Sequence, residues 1–201
     1  MTASPGGLGA VLVLASTSER RIRLLKMIAK DFRVLSPKAP EALVEGDPLG
    51  TVLANSKLKA LSVLEEVSSD DLVIAADTVV SIGRRVLGKP ANLEEARRFL
   101  KVLSGRWHYV YTGVALASKR SGLIARGWEV TGVKFRELGE GEINNYVKSG
   151  EPLGKAGAYA IQGLGAGLVE EIRGCYTNVL GLPIPLTLKL LRKVGFKGGD
   201  Q

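Results

Sequence analysis

Residues 11–21 read VLVLASTSERR, an uninterrupted apolar run followed by hydroxyl and basic side chains. The run at 11–15 is β-branched and leucine-rich, which predicts a short buried strand. The tetrad from Ser16 to Glu19 then has capping-box spacing, and the hydroxyl of Ser16 or Ser18 can accept a first-turn amide. The stretch therefore predicts a strand that leads directly into a helix at about 19–30.

The remaining apolar periodicity predicts helices and strands in an irregular alternation. That order favours an α/β fold with a mixed central β-sheet flanked by helices, in a single domain over residues 1–201. The predicted helices cover 47–67, 92–103, 140–148 and 185–194, and the predicted strands cover 72–76, 109–117, 128–135 and 167–172. We also expect a hairpin at 79–87, a structured loop and strand pair at 154–167 and fraying at 198–201.

Composition indicates a globular protein, with 45% hydrophobic residues in a chain of 201. The apolar runs are far shorter than the about 20 residues of a membrane span, so we expect no membrane partner. No basic segment precedes a long apolar one at the N-terminus, and a secretory signal is not expected. Cys175 is the only cysteine, which excludes an internal disulfide and fits a cytoplasmic location.

The formal charge of +8 favours anionic partners without separating nucleic acids from nucleotides. Trp107, Trp128 and the tyrosines lack the regular spacing of an aromatic platform for single-stranded nucleic acid, so that partner is not expected. His108 is the only histidine, which excludes a histidine-based metal site unless subunits share it.

The first candidate site is the segment from Ser16 to Arg21. Free amides at a helix start carry partial positive charge, and the hydroxyls and the guanidinium groups of Arg20 and Arg21 match phosphate oxygens. A polyphosphate can bind such a segment. A capped helix with two exposed arginines explains the segment equally well on its own.

The second candidate site combines Asp77 and Lys89. A carboxylate at the end of the apolar strand 72–76 can bind a metal or accept a proton from water, and a nearby lysine can neutralise phosphate charge. Asp77 is the leading catalytic candidate, although an aspartate in the turn before a hairpin is the more common case.

The third candidate site is the segment KAGAYAIQG at 155–163. The amide of Gln162 presents both a donor and an acceptor, so it can read the edge of a base, and glycines let a ligand approach the backbone. Taken alone, glycines that serve turns and bulges are the simpler explanation.

Together these segments resemble the Maf family of nucleoside triphosphate pyrophosphatases, in the expected order and up to about Leu191. Each motif alone is weak, but their order over most of the chain is highly specific. The matching segments are LASTSERR (14–21), ANSK (54–57), AADTVV (75–80), GKP (88–90), LSGRWH (103–108), YTGV (111–114), EPLGKAGAYAIQG (151–163) and GLP (181–183).

The resemblance implies two lobes around a nucleotide-binding cleft, a fold similar to inosine triphosphate pyrophosphatases, and a homodimer. It also implies hydrolysis between the α and β phosphates with a divalent metal cation, Mg²⁺ or Mn²⁺. By position, Asp77 would activate water or link to the metal, and Glu41 would complete the metal shell. The residues implied to hold the triphosphate are Ser16, Ser18, Arg20, Arg21, Lys57 and Lys89. Lys155 and Gln162 would lie at the base end of the cleft. The residues implied to determine substrate choice are Arg20, Thr78 and Gln162.

The segment at 155–163 resembles the branch that prefers dTTP and UTP over 7-methyl-GTP. The chain departs from the family where Glu19 replaces a frequent proline, where Ala42 replaces an acidic residue after Glu41, and where Gly154 replaces another acidic residue. The alternatives are a pyrophosphatase for 7-methyl-GTP or for inosine and xanthosine triphosphates, a basic nucleic-acid-binding module, and a regulator of cell division and septum formation.

Overall fold

The computed structural model describes residues 10–196, and the expected fraying at 198–201 lies outside them. The strands are β1 (Leu12–Ala15), β2 (Phe32–Leu35), β3 (Leu72–Ile82), β4 (Arg85–Leu87), β5 (Trp107–Ser118), β6 (Gly122–Phe135) and β7 (Val169–Arg173). The helices are α1 (Glu19–Lys26), α2 (Pro48–Leu61), α3 (Leu93–Leu103), α4 (Glu140–Lys148), α5 (Tyr176–Val179) and α6 (Ile184–Lys193). Short 3₁₀ segments lie at Leu64–Glu66, Ala156–Ala158 and Gly163–Leu168.

All seven strands join one sheet in the order β2-β1-β3-β5-β6-β7, and β4 pairs with β3. The pairs β1 with β2 and β1 with β3 are parallel, and the other pairs are antiparallel. The sheet is therefore mixed and carries helices on its faces, which confirms the predicted fold class.

Strand β3 runs without a break through Asp77 to Ile82, so the expected strand end at 76 was wrong. Its ladder with β5 extends from Val73 opposite Ala117 to Ser81 opposite Tyr109, and these hydrogen bonds keep the chain extended beyond Ala76. The expected hairpin follows, with Gly83 at φ 57° between β3 and β4.

Strand β1 is shorter than its neighbour, and this leaves part of one β3 edge open. It pairs with β3 only as far as Leu14 opposite Ile74, and β4 begins to pair at Val80. Within the described chain, residues 75–79 therefore have a strand partner only on the β5 side. Asp77 and Thr78 lie on this open stretch, and successive strand residues point to opposite faces, so they face opposite sides of the sheet.

Four apolar clusters of the described residues cover the two faces, and the smallest lies around Val52 and Val79. Helix α2 packs on one face over Val13 and Ala75. The opposite face carries one core under α1 and α6, around Leu14, and a second core with α3 and α4, around Phe135. Thr112 of β5 lies between these two cores, since Val110 belongs to one and Val114 to the other. The two cores form the walls of a cleft, in agreement with the expected two lobes.

Helix lengths follow the sequence prediction in part. Helices α3 and α4 agree with it, and Asn92 caps α3 by accepting a hydrogen bond from the Glu95 amide at 2.9 Å. Helix α1 ends at Lys26, four residues earlier than expected, and α2 ends at Leu61.

The segment 154–167 forms 3₁₀ turns, and the expected strand within it was wrong. Its glycines at 154, 157 and 163 have φ between 68° and 75°, and Ala158 has φ 61°. These left-handed conformations break an extended chain.

The described helices include none that is both long and apolar enough to cross a membrane.

Candidate active site

A cleft of about 600 Å³ opens at the end of β1, between the two cores and beside the open edge of β3. Thr78 forms part of its floor, and its hydroxyl oxygen lies 2.9 Å from that of the buried Thr112. The sequence-predicted site residues that line the cleft are Ser16, Ser18, Glu41, Arg20, Arg21, Thr78, Lys89, Lys155 and Gln162. The cleft thus gathers residues from four separate motifs.

The N-terminus of α1 points free amides into this cleft. Ser18 is the N-cap residue, but its side chain makes no capping hydrogen bond. Its own amide donates to the hydroxyl of Ser16 at 3.2 Å. The capping-box expectation was therefore wrong, and the first-turn amides of α1 remain available to an anion.

Arg21 spans the cleft from α1 to the loop after α5. Its Nε donates to the carbonyl of Gly181 at 2.8 Å, and its Nη2 donates to the hydroxyl of Thr78 at 3.0 Å. Burial lowers its pKa, and the nearby carboxylate of Asp77 opposes that effect. Both hydrogen bonds hold the guanidinium in one orientation, with its remaining donors free for a ligand.

Arg20 lies beside Arg21 and reaches toward α4. Its Nε is buried without a hydrogen-bond partner among the described residues, and burial lowers its pKa. A buried charged donor without a partner costs free energy. An anionic ligand in the cleft would satisfy it.

Asp77 lies behind the cleft, on the face of the sheet covered by α2, and is not among the residues that line the cleft. Its Oδ1 accepts a hydrogen bond from Lys59 Nζ at 2.5 Å, and its Oδ2 accepts one from Asn55 Nδ2 at 3.0 Å. The side chains of Lys59 and Asp77 are only 6% and 5% exposed. This carboxylate is therefore rigidly held in a largely water-free position.

Lys59 also links Asp77 to Glu41. Its Nζ lies 2.7 Å from Glu41 Oε1, and Lys89 Nζ donates to the same carboxylate at 2.9 and 3.0 Å. Burial acts to raise the pKa of Glu41, but the hydrogen bonds from Lys59 and Lys89 outweigh it and hold the pKa at about 2. The two ammonium groups balance the two carboxylates, so the charges of Arg20 and Arg21 remain for an anionic ligand.

The structure places Lys59, rather than the predicted Lys57, at the site. Two residues along a helix correspond to a rotation of about 200°, so their side chains point to nearly opposite sides. Lys57 is exposed and lies outside the cleft, whereas Lys59 is buried. Asn55 and Lys59 are four residues apart and share one face of α2. This polar pair at helical spacing, between buried Val52 and Ala60, was the signal available in the sequence.

The acidic side chains of the site that could hold a divalent cation are those of Asp77 and Glu41. Within residues 10–196, no cluster of three or more histidine, cysteine or acidic side chains has metal-binding geometry. One Lys59 ammonium contacts oxygens of both carboxylates, which places those oxygens near each other. Mg²⁺ commonly uses one or two carboxylates together with substrate phosphates and water. The two carboxylates fit that pattern when a polyphosphate supplies further oxygens and the ammonium moves aside.

The far end of the cleft is formed by the segment after α4. Lys155 is half-buried, and its Nζ donates to the backbone carbonyl of Glu151 at 2.5 Å. Burial lowers the pKa of Lys155, and the charge of Arg20 adds to this effect. Gln162 is exposed on the same side. The amide of Gln162 and the ammonium of Lys155 are thus offered to a ligand on the side of the cleft toward which Arg20 reaches.

His108 lies outside the cleft, in the core that contains Phe135. Its Nε2 lies 2.9 Å from the hydroxyl of Tyr159, and its ring meets those of Phe135 and Tyr159 edge to face. Burial lowers its pKa to about 4. The ring is therefore a neutral part of the core at physiological pH.

Three proteins that are similar in sequence to this chain share one name. The dTTP/UTP pyrophosphatase of Aquifex aeolicus (strain VF5) is 43% identical over 188 residues, which cover 94% of this chain and 97% of the relative. That of Thermosipho melanesiensis is 48% identical over 173 residues, with 86% and 92% covered, and that of Thermococcus kodakarensis is 47% identical over 186 residues, with 92% and 97% covered. The family model described as Maf-like protein matches residues 11–194. The chain belongs to the Maf-like protein family.

Proposed function

We propose that this protein is a dTTP/UTP pyrophosphatase, which hydrolyses the bond between the α and β phosphates and releases a nucleoside monophosphate and pyrophosphate. The observation that carries the proposal is that Lys59, which binds the buried Asp77, lines the same cleft as the arginine-rich end of α1. Relatives named for this activity, each at least 43% identical over most of the chain, support the substrate class.

In this proposal the triphosphate lies against the N-terminus of α1. The free amides and the hydroxyls of Ser16 and Ser18 donate to its oxygens, and Arg20 and Arg21 supply charge-assisted hydrogen bonds. Lys89 approaches from the opposite wall. Donors that are already in position when negative charge builds on the departing pyrophosphate lower the barrier most.

Asp77 acts as the proton acceptor for the attacking water. Lys59 and Asn55 each bind one of its oxygens, which fixes the carboxylate while lone pairs remain for water. Asp77 and Glu41 would together hold Mg²⁺ or Mn²⁺, which would supply charge neutralisation of the phosphate oxygens and polarisation of water. Lys59 then shifts toward the phosphates that enter the cleft.

The base lies at the other end of the cleft. The ammonium of Lys155 can donate to the carbonyl oxygens of uracil or thymine, and the amide of Gln162 can donate to these oxygens or accept from N3–H. Thr78, on the cleft floor, and Arg20 lie between the two ends and contribute to substrate choice. A homodimer in the cytoplasm is the setting we propose, and the single cysteine is compatible with a reducing compartment.

The variant Asp77→Asn tests the catalytic assignment. We expect it to bind dTTP but to lose about 10²–10⁴ in kcat, because it removes the general base and a metal ligand. Asp70→Asn is the matched control, since Asp70 is exposed and pairs with Arg120 at the surface. Hydrolysis by Asp77→Asn at the rate of this control, with both proteins folded by circular dichroism, would remove Asp77 from the mechanism.

A further inference from the structure

The carboxylate of Glu151 accepts three hydrogen bonds at the start of the segment that carries Lys155 and Gln162. Its Oε1 accepts hydrogen bonds from the Tyr146 hydroxyl and the Gly165 amide, both at 2.9 Å. Its Oε2 accepts one from the Leu164 amide at 3.0 Å. Burial acts to raise the pKa of this carboxyl, but these hydrogen bonds outweigh it and lower the pKa.

The same residue contacts the other end of the segment through its backbone. The Glu151 carbonyl accepts a hydrogen bond from Lys155 Nζ at 2.5 Å. Gln162 precedes the two amides on the carboxylate by two and three residues. One residue therefore orients the ammonium of Lys155 directly and fixes the chain immediately after Gln162.

Helix α4 anchors this arrangement through Tyr146. Its hydroxyl donates to Glu151 and also accepts a hydrogen bond from the Ala160 amide at 3.0 Å, two residues before Gln162. The Tyr146 side chain lies in the core beside α3 and is 5% exposed. The segment around Gln162 is thus tied on both sides to a rigid element.

Two glycines that follow Gln162 let the backbone pack closely against Glu151 and Tyr146. A Cβ at Gly163, which has φ 75°, would lie 2.5 Å from Glu151 Oε2. A Cβ at Gly165 would lie 2.1 Å from the Ala160 carbonyl oxygen and 2.7 Å from the Tyr146 hydroxyl. Only glycine lets the backbone approach this closely. The backbone around Gln162 is therefore wrapped tightly about the carboxylate.

We propose that Glu151 is a positioning residue for base selection, which holds Gln162 and Lys155 at the spacing that a uracil or thymine ring requires. The inference rests on the proposed function, since it assigns a role at the base end of that cleft. Glu151 acts by positioning Gln162 and Lys155, whereas the triphosphate is bound by the N-terminus of α1. Its loss should therefore weaken recognition of the base more than the chemical step.

The variant Glu151→Gln removes the charge and keeps the shape. A glutamine side chain offers one acceptor oxygen and one donor nitrogen, so at least one of the three donors on Glu151 loses its acceptor. Hydrogen bonds to charged groups contribute on the order of tenfold or more in equilibrium constants. We expect KM for dTTP and UTP to rise about tenfold while kcat changes less than about threefold.

Two further measurements separate positioning from general stability. The ratio of kcat/KM for dTTP to that for CTP should fall in Glu151→Gln. Inhibition by tripolyphosphate, which has no base, should be unchanged. Tyr146→Phe should shift the same quantities in the same direction, because Glu151 loses one of its three donors and the Ala160 amide loses its acceptor. Glu140→Gln is the matched control, because Glu140 is exposed and pairs with Lys101 at the surface.

The possible outcomes are distinct. A rise in KM limited to nucleotides, with a reduced dTTP to CTP ratio, supports the inference. A fall in kcat at unchanged KM, an equal loss of tripolyphosphate inhibition, or kinetics equal to those of Glu140→Gln would overturn it. If Glu151→Gln does not fold, the same comparisons on Tyr146→Phe decide. Failure of the wild-type protein to hydrolyse dTTP and UTP would instead refute the proposed function.

Discussion

Replacing Lys59 with methionine tests the buried charge network at the centre of the site. The substitution keeps most of the side-chain volume and removes the ammonium that bonds to Asp77 and Glu41. Asp77 then keeps only the hydrogen bond from Asn55 in a position that is 5% exposed. Removing one partner of a buried pair costs about 3–5 kcal/mol, because the other charge is left without compensation.

The loss of unfolding free energy in Lys59→Met should lower the melting temperature. For a domain of about 200 residues, 1 kcal/mol corresponds to roughly 2–4 °C, so Lys59→Met should lower Tm by about 6–20 °C. Hydrolysis of dTTP should fall by about 10²-fold or more, because Asp77 is no longer oriented and a positive charge near the phosphates is lost. Calorimetry and steady-state kinetics measure the two effects.

Lys57→Met is the matched control two residues away on α2. Lys57 is exposed, and exposed surface substitutions usually change stability by less than about 0.5 kcal/mol. Its Tm and kcat should therefore remain close to those of the wild type. The double variant Lys59→Met with Asp77→Asn should be more stable than Lys59→Met alone, because no uncompensated charge remains. Equal losses in the two lysine variants, or full stability and activity of Lys59→Met, would refute the reasoning.

Two further predictions concern Arg21 and His108. Arg21→Ala should reduce kcat/KM for dTTP by about 10–100-fold through loss of charge-assisted hydrogen bonds. Arg23→Ala should change kcat/KM by less than about twofold, because Arg23 is 81% exposed and forms its ion pair with the exposed Glu19. Equal effects of the two variants on kcat/KM would contradict the placement of the phosphates against α1. Burial lowers the pKa of His108 from 6.5 to about 4. Between these pH values the unfolded chain binds more protons than the folded chain. The free energy of unfolding should therefore fall by about 3 kcal/mol as the pH drops through this window. Urea unfolding at pH 7 and pH 4.5 should show a smaller pH dependence in His108→Gln than in the wild type, and an identical dependence would refute the assignment.

Much of the cleft could be predicted from the sequence because its residues occur in short motifs. Arg20, Arg21, Thr78, Lys89 and Gln162 all reach the cleft that the motifs predicted. Lys89 lies between Gly88 and Pro90, Gln162 precedes Gly163, and Arg20 and Arg21 lie in the first turn of α1.

The missed residues depend on geometry that a motif does not contain. Lys57 and Lys59 differ only by rotation about α2, and the partner that selects Lys59 is Asp77, which lies 18 residues away in the chain. The position of Asp77 within β3, rather than at its end, depends on the length of the β5 ladder. Glu151 acquires its role through amides more than ten residues later. Long-range packing decides these three features.

The most direct measurement identifies the products that the wild-type protein forms from dTTP, UTP, CTP, inosine triphosphate and 7-methyl-GTP. Each nucleotide is tested with magnesium, with manganese and with a chelator, and pyrophosphate is measured separately from orthophosphate. The account predicts metal-dependent release of pyrophosphate and monophosphate, fastest from dTTP and UTP. Release of orthophosphate, faster turnover of inosine triphosphate or 7-methyl-GTP, or no hydrolysis of any nucleotide would contradict it.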